Sequence, residues 1–440
     1  MSTTETGPAF FLAVAVILTV CRLVGWLLRR LGQPPVVGEM VAGVALGPSV
    51  LGLVSPGLEK AVFPDEIRPV LYVAGQVGLV VFMFLSGYEF RTDRLRSVGR
   101  TAVPVSAAGI VVPLVLGTGL AWAAHGTVDL YPDGVSTTVG ALFVGVTVSI
   151  TAFPMMARII TERGLTHTRF GAVSLASGAL DDAVAWVLLA GVLSMAGGGA
   201  DTFLLAVAGT AGLAVLLWLF LRVRPAALER ARQLTDDHML LVTVLLLFLA
   251  AWYTDRIGLY AVFGAFSLGI AFPRDPVVTR AVTAIAPISR IVFLPLFFAY
   301  SGLNTDFTLL SDGRLLLFTA ACVLVAIVSK FGACWAMARL MGEPQAVAVR
   351  VGTLMNARGL MQLIAINVGL AAGIASPALF GVLVIVALVT TVMTSPLLAL
   401  LDRRGRTDLP DRTTPAETTS AGPGAGPAPT GHSPRTHGTG

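Results

Sequence analysis

Two adjacent aspartates, Asp181 and Asp182, lie deep inside the apolar run from Gly171 to Ala196, with no Lys or Arg between them and either end. An ionised carboxylate near the centre of a bilayer costs at least ~2.5 to 3.5 kcal/mol on insertion scales, so a pair kept there implies a use. A half-buried helix of a water-soluble protein would make the pair ordinary, but the composition rejects that reading. The chain is 55% hydrophobic and only 12% charged, whereas a soluble domain carries about 25% charged residues. Several apolar stretches reach the ~17 to 25 residues that a membrane-spanning helix needs. The sequence therefore describes an all-α polytopic membrane protein.

The net charge of +5 would suggest a nucleic-acid partner in a soluble chain. Here the basic residues fall between hydrophobic segments, where they orient helices, and no nucleic acid is implied. Cys21, Cys322 and Cys334 all lie in apolar runs, without metal-ligand spacing or an even count, and read as packing residues. The N-terminus carries Glu5 and no basic stretch, and Arg29 and Arg30 follow the first apolar run where a signal peptide would have a small-residue cleavage site. That run reads as a retained first span.

Apolar windows and their breaks place thirteen spans, at 9–28, 35–54, 70–90, 101–124, 138–160, 171–196, 202–222, 238–254, 257–272, 287–303, 314–338, 346–371 and 377–400. With the N-terminus outside, 21 Arg residues fall in inward loops or at their edges, and only Lys60, Arg68, Arg256 and Arg314 fall outside. This asymmetry is the positive-inside rule, and a missed span would scramble it. Thirteen divides as six, one and six. An odd linker at 202–222 inverts the second repeat, 238–400, relative to the first, 9–196, an arrangement that puts a transport site at the midplane where the repeats meet.

Corresponding spans five and twelve are both interrupted, by Ser149-Ile150-Thr151-Ala152-Phe153-Pro154 and by Asn356-Ala357-Arg358-Gly359. Pro154 removes a backbone donor and Gly359 weakens the helix, which frees polar backbone at mid-depth. That is tolerable only around a polar cavity. One Pro kink would mean little, but paired breaks point to a site. The transmembrane domain is thus expected over 1–400. Residues 401–440, rich in Pro, Thr, Gly and Ser, read as a disordered cytoplasmic tail.

Asp182 lies eleven residues into its span, about 16 Å along the axis, so the acidic pair is the first candidate for binding a cation and protons. Burial disfavours the charged form, and two adjacent acids titrate as a coupled pair. A site that gains and loses protons can exchange them for cations. Lys330, one of only two lysines, sits at a similar depth in span eleven and needs an anionic partner. A salt bridge that merely fastens two helices is the plainer reading, but lysine also gives up its proton readily when buried. Arg358 is expected to face the helix ends at the breaks in an electrostatic structural role. Ser149, Thr151 and Asn356 supply neutral oxygens there, of the kind hard monovalent cations prefer.

Glu39 and Glu89 fall near cytoplasmic span ends and are expected to reach the headgroup zone. His125, His167 and His238 read as solvated loop or span-end residues. Gly38, Gly43, Gly47 and Gly52 form a small-residue packing ladder rather than a phosphate loop.

The segments VVGEMVAGVALGPSVLG, SITAFPMMARII, ALDDAVAWVLLA, FLPLFFAYSGLNTDF and MNARGLMQLIAINVG together resemble the monovalent cation/proton antiporters of the CPA2 type, bacterial relatives of the plant cation/proton exchangers. The resemblance covers nearly the whole membrane region. It implies inverted repeats with crossed broken helices, a core domain moving against a dimerisation domain, and therefore a homodimer. Carried over by position, it implies Asp182 as the principal cation and proton site, Asp181 as its acidic neighbour, with Thr151 close by, and Lys330 as the lysine paired with the acid until a cation displaces it. The transported ions would be Na+ or K+ and H+, with no cofactor, in the plasma membrane among lipid. Close relatives often have Glu where this chain has Gln362, which leaves Arg358 less compensated.

Two other classes compete. An intramembrane aspartyl protease needs carboxylates on facing helices, whereas neighbours on one helix point ~100° apart, and the chain has no Gly-x-Gly-Asp sequence. A sodium-coupled organic-anion symporter of similar topology leaves Lys330 without a purpose. The expected activity is therefore transport, not catalysis.

Overall fold

In the computed structural model the described residues are 3–89, 92–197, 200–231, 235–257 and 260–405, and among them no strand occurs. The first half consists of α1 (Thr3–Arg30), α2 (Pro35–Leu46), α3 (Pro56–Val62), α4 (Arg68–Glu89), α5 (Thr92–Ala123), α6 (Thr137–Ser149), α7 (Phe153–Glu162) and α8 (Arg169–Ala196). A single helix, α9 (Ala200–Ala231), connects it to the second half. There follow α10 (Asp236–Arg256), α11 (Ala261–Ala271), α12 (Pro276–Ile288), α13 (Leu294–Leu303), α14 (Gly313–Leu340), α15 (Gln345–Met355), α16 (Leu360–Ala371) and α17 (Pro377–Gly405).

Ten described helical segments are long and apolar enough to cross a membrane, and three shorter apolar ones occur at 35–46, 211–223 and 261–271. Together they fall on the thirteen expected segments. Several boundaries differ, each for a local reason. The segment expected at 35–54 leaves α-geometry at Gly47 and continues through a wide π-turn over Pro48–Gly52, because Pro48 cannot donate the next helical bond. The segment expected at 287–303 starts eleven residues earlier, at Pro276, capped by the Asp275 carboxylate on Val277 N–H at 3.1 Å. Arg280 and Pro287 disguise its amphipathic first half as a loop. α11 begins only after Tyr260, whose φ of 64° cannot extend the helix backward. It spans 11 residues, about 16 Å.

Side-chain caps fix the starts of the helices that carry the site. Ser136 accepts from Val139 N–H at 3.3 Å to open α6, and Thr168 accepts from Gly171 N–H at 3.1 Å to open α8. Asp312 accepts from Arg314 N–H at 3.2 Å to open α14. Each satisfies one of the donors that a helix start leaves unpaired.

Two sets of helices pack among themselves. α5 packs on α6, α8 and α14, and α14 packs on α15 and α17. α2 packs on α1 and α13, and α4 on α11 and α13. In order along the chain, α5, the α6–α7 pair and α8 occupy the places in the first half that α14, the α15–α16 pair and α17 occupy in the second. Since one helix separates the halves, the second runs through the membrane inverted. The broken pairs cross where Ala152 N–H donates to Ala357 C=O at 2.9 Å. A separate apolar cluster under α1, α2 and α13, including Ile17, Leu46, Phe63, Leu71 and Leu303, stands apart from the main core.

Close packing of the second set depends on missing side chains. A Cβ at Gly43 would collide with the Phe298 carbonyl, and one at Gly302 with the Gly43 carbonyl, so α2 and α13 meet backbone to backbone. Gly43 and Gly47, which a Cβ would drive into the Gly302 carbonyl, act as the packing ladder that their spacing suggests. The tail expected at 401–440 lies, from residue 406 on, outside the described residues, and α17 continues to Gly405.

Candidate functional site

Asp181, Asp182, Lys330 and Arg358 are all fully buried. Four charges in the interior of a membrane protein persist only when the surrounding groups compensate them. The backbone breaks provide much of that compensation.

Asp181 is held on every side. Its Oδ2 accepts from Lys330 Nζ at 2.6 Å and lies 2.8 Å from Thr151 Oγ1, and its Oδ1 accepts from Ser106 Oγ on α5 at 2.5 Å. Lys330 Nζ also donates to the Ser149 carbonyl at 2.6 Å. That carbonyl is at the C-terminal end of α6, where the aligned peptide dipoles leave partial negative charge. The ammonium is therefore shared between a carboxylate and a helix end. Thr151 Oγ1 is also 3.1 Å from the Met355 carbonyl at the end of α15, and its single proton serves one acceptor at a time.

Asp182, one residue on, points elsewhere. Its Oδ1 faces the Phe153 N–H, the first amide of α7, at 3.5 Å, and its Oδ2 has no hydrogen-bond partner among the described residues. The start of α7 offers unpaired donors and partial positive charge to the carboxylate. The remaining oxygen is buried and unsatisfied, which is the arrangement a transported cation or a proton can complete. Nearby in the break of the second half, both side-chain atoms of Asn356 also lack partners, as do both of Gln362 on α16.

Arg358 occupies the α15–α16 break, where it donates to the Val148 carbonyl near the end of α6 and to the Ala326 carbonyl of α14 at 2.9 Å. It stands at helix ends, as the sequence suggests, and is held by carbonyls rather than by a carboxylate. Gly359, with φ 92° and ψ −124°, turns the chain into α16 through a conformation that L side chains rarely adopt.

The breaks thus gather Asp181, Lys330, Thr151 and Arg358 into one network beside Asp182. Ser149 contributes through its backbone, since its hydroxyl donates to the Val146 carbonyl at 2.7 Å. Ser106 was not evident from the sequence, because a lone serine in an apolar helix carries no distinguishing signal. Glu39 and Glu89 both line a cavity of about 460 Å³ whose wall also includes Phe153, Pro154 and Leu360; Glu89 is exposed at the end of α4, as expected, whereas Glu39 is half-buried.

The family model described as sodium/hydrogen exchanger, transmembrane, matches residues 15–400. The chain is 37% identical over 390 residues to the Na(+)/H(+) antiporter NhaS4 of Synechocystis, covering 87% of this chain and 95% of that protein. It is 32% identical over 414 residues to cation/H(+) antiporter 17 of Arabidopsis thaliana, covering 91% of this chain but only 49% of the plant protein. The solved structure of the sodium proton antiporter MjNhaP1 from Methanocaldococcus jannaschii has the same fold, with a TM-score of 0.58 at 15% identity over 91% of this chain and 99% of that one.

Proposed function

Because the chain belongs to the sodium/hydrogen exchanger family, we propose that it exchanges a monovalent cation, Na+ or K+, for protons by alternating access. The observation that carries the reading is the contrast between neighbours: Asp181 is neutralised by Lys330 at 2.6 Å, whereas Asp182 keeps a buried oxygen with no partner among the described residues. A dehydrated cation and a proton compete for that oxygen. When the cation binds, Asp182 releases its proton. If the cation also draws Asp181 away from Lys330, the freed ammonium loses a proton as well, giving two protons per cation and net charge movement.

The proposed domains are a membrane body over 1–400, made of repeats at about 9–196 and 238–400 joined by a linker helix, with a cytoplasmic tail beyond. The α5–α8 and α14–α17 set would move against the α1–α4 and α10–α13 set, the latter forming a homodimer. The excess of basic residues in alternate loops supports an outside N-terminus in the plasma membrane. The relatives named above are antiporters, and nothing among them favours organic-anion symport.

Reconstituted protein tests the proposal. Proteoliposomes carrying a pH dye should show cation-driven proton flux with Na+ or K+, and Asp182→Asn should abolish it. Undiminished flux in that variant would end the assignment.

A further inference from the structure

The approach to the site carries the wrong charge for its cargo. The cavity of about 460 Å³ is lined by α1, α2, α4 and α13 on one side and α7 and α16 on the other, and its lining includes Phe153, the residue whose amide faces Asp182. Among the described residues its wall bears Arg22, Arg29, Arg158 and Arg290 and two carboxylates, Glu39 and Glu89. Glu89 is bonded to Arg290 at 3.2 Å, and both side chains are more than half exposed, which places that pair at the mouth. The described charges of the wall therefore leave a positive excess, and a cleft with low-dielectric walls focuses the field of its charges.

Glu39 is the exception. It is the fifth residue of α2, half-buried in the cavity wall, and no direct hydrogen bond or ion pair joins it to another described residue. The charges acting on it are Arg158 from α7 and Arg22 from α1. Arg158 is on the face of α7 that repeats every three or four residues into the cavity, with Pro154, Ala157 and Thr161. It stands five residues beyond Phe153, about 7.5 Å along the axis. A carboxylate without a direct partner among the described residues thus shares the cavity wall with Phe153, whose amide faces Asp182.

Resting on the exchange reading above, we infer that Glu39 is a staging ligand for the monovalent cation between the cavity and Asp182, with Arg22 and Arg158 opposing it. The three charges together then set the apparent cation affinity. Glu39 belongs to the α1, α2 and α13 set, whereas Asp182 belongs to the other, so the cation is handed from one body to the other as it reaches its site.

The test is the Na+ and K+ dependence of exchange in proteoliposomes. Glu39→Gln should raise KM for the cation about five- to tenfold, since it removes the attraction of one opposite charge in a partly aqueous site, while kcat falls less than twofold. Glu39→Asp should restore KM to within twofold. Arg22→Gln should move KM the opposite way, downward, which a merely structural role of this region would not produce. An unchanged KM in Glu39→Gln would overturn the inference, as would equal losses in all three variants. If Glu39→Gln does not fold, Glu39→Asp and Arg22→Gln still decide it, since a KM for Arg22→Gln at or above the wild-type value refutes it. Failure of wild-type protein to exchange any cation would instead defeat the exchange reading itself.

Discussion

Asp181 and Asp182 are chemically identical and adjacent, yet their surroundings give them different work. Asp181 is locked by Lys330, Ser106 and Thr151, whereas Asp182 meets only one long amide contact. The ~100° between successive residues on a helix turns one carboxylate toward α14 and the other toward the start of α7. Removing one partner of a buried ion pair strands the other, at a cost of about 3 to 5 kcal/mol. Asp181→Asn should therefore lower the melting temperature in detergent, and adding Lys330→Met should recover much of the loss without restoring transport. Lys330→Gln should eliminate the transient currents seen on solid-supported membranes, and unchanged currents would remove the lysine from the proton count. At this scale the sequence is readable wherever a charge is expensive: an acid pair, a lysine and an arginine in apolar runs stand out. Ser106 and the Ser149 carbonyl do not, because a hydroxyl or a peptide group in a helix costs nothing visible until the fold aims it.

The breaks at 150–152 and 356–359 were legible as elements because Pro154 and Gly359 interrupt apolar runs in matching places. Which groups they free is decided by crossing: the α6 end meets Lys330 and Arg358, and the α7 start meets Asp182. Gly359 can be tested directly. A side chain there is forced into a conformation costing of order 1 to 3 kcal/mol and would also crowd Thr391 Oγ1 at 3.3 Å. Gly359→Ala should lower both the melting temperature and exchange. Gly119, about one turn from the C-terminal end of α5 with nothing within 4 Å of an added Cβ, provides the contrast, since Gly119→Ala should be neutral or stabilise by up to ~1 kcal/mol. Equal behaviour of the two variants would deny the break its special backbone. The missed first half of the 276–303 segment shows the opposite limit: Arg280 pairs with Asp236 at 2.9 Å, and a helix that keeps a charged face looks like a loop to a hydropathy window.

For the molecule as a whole, the two packed sets and the cavity between them follow from long-range contacts that no local pattern states. The C-terminal end of α17 is tied down by Asp402, which meets Arg350 at 3.4 Å and Arg163 at 3.7 Å, with Arg163 also donating to the Ser395 carbonyl at 2.9 Å. Partly exposed pairs of this kind contribute ~0 to 1 kcal/mol, so Asp402→Asn should shift the melting temperature by only a degree or two. Loop charge alone proposes an orientation, with the Arg-rich loops inward. Cysteines introduced for Lys60 and His167, both exposed, test it: the first should react with an impermeant maleimide in intact cells, the second only after permeabilisation. The reverse pattern would overturn the assignment.

The bond from Ala152 to Ala357 joins the unwound stretch of one half to that of the other. Neither stretch can drift alone during evolution, because a shift in one drags its counterpart through a shared peptide. Suppressors of damage in the first should accordingly arise in the second.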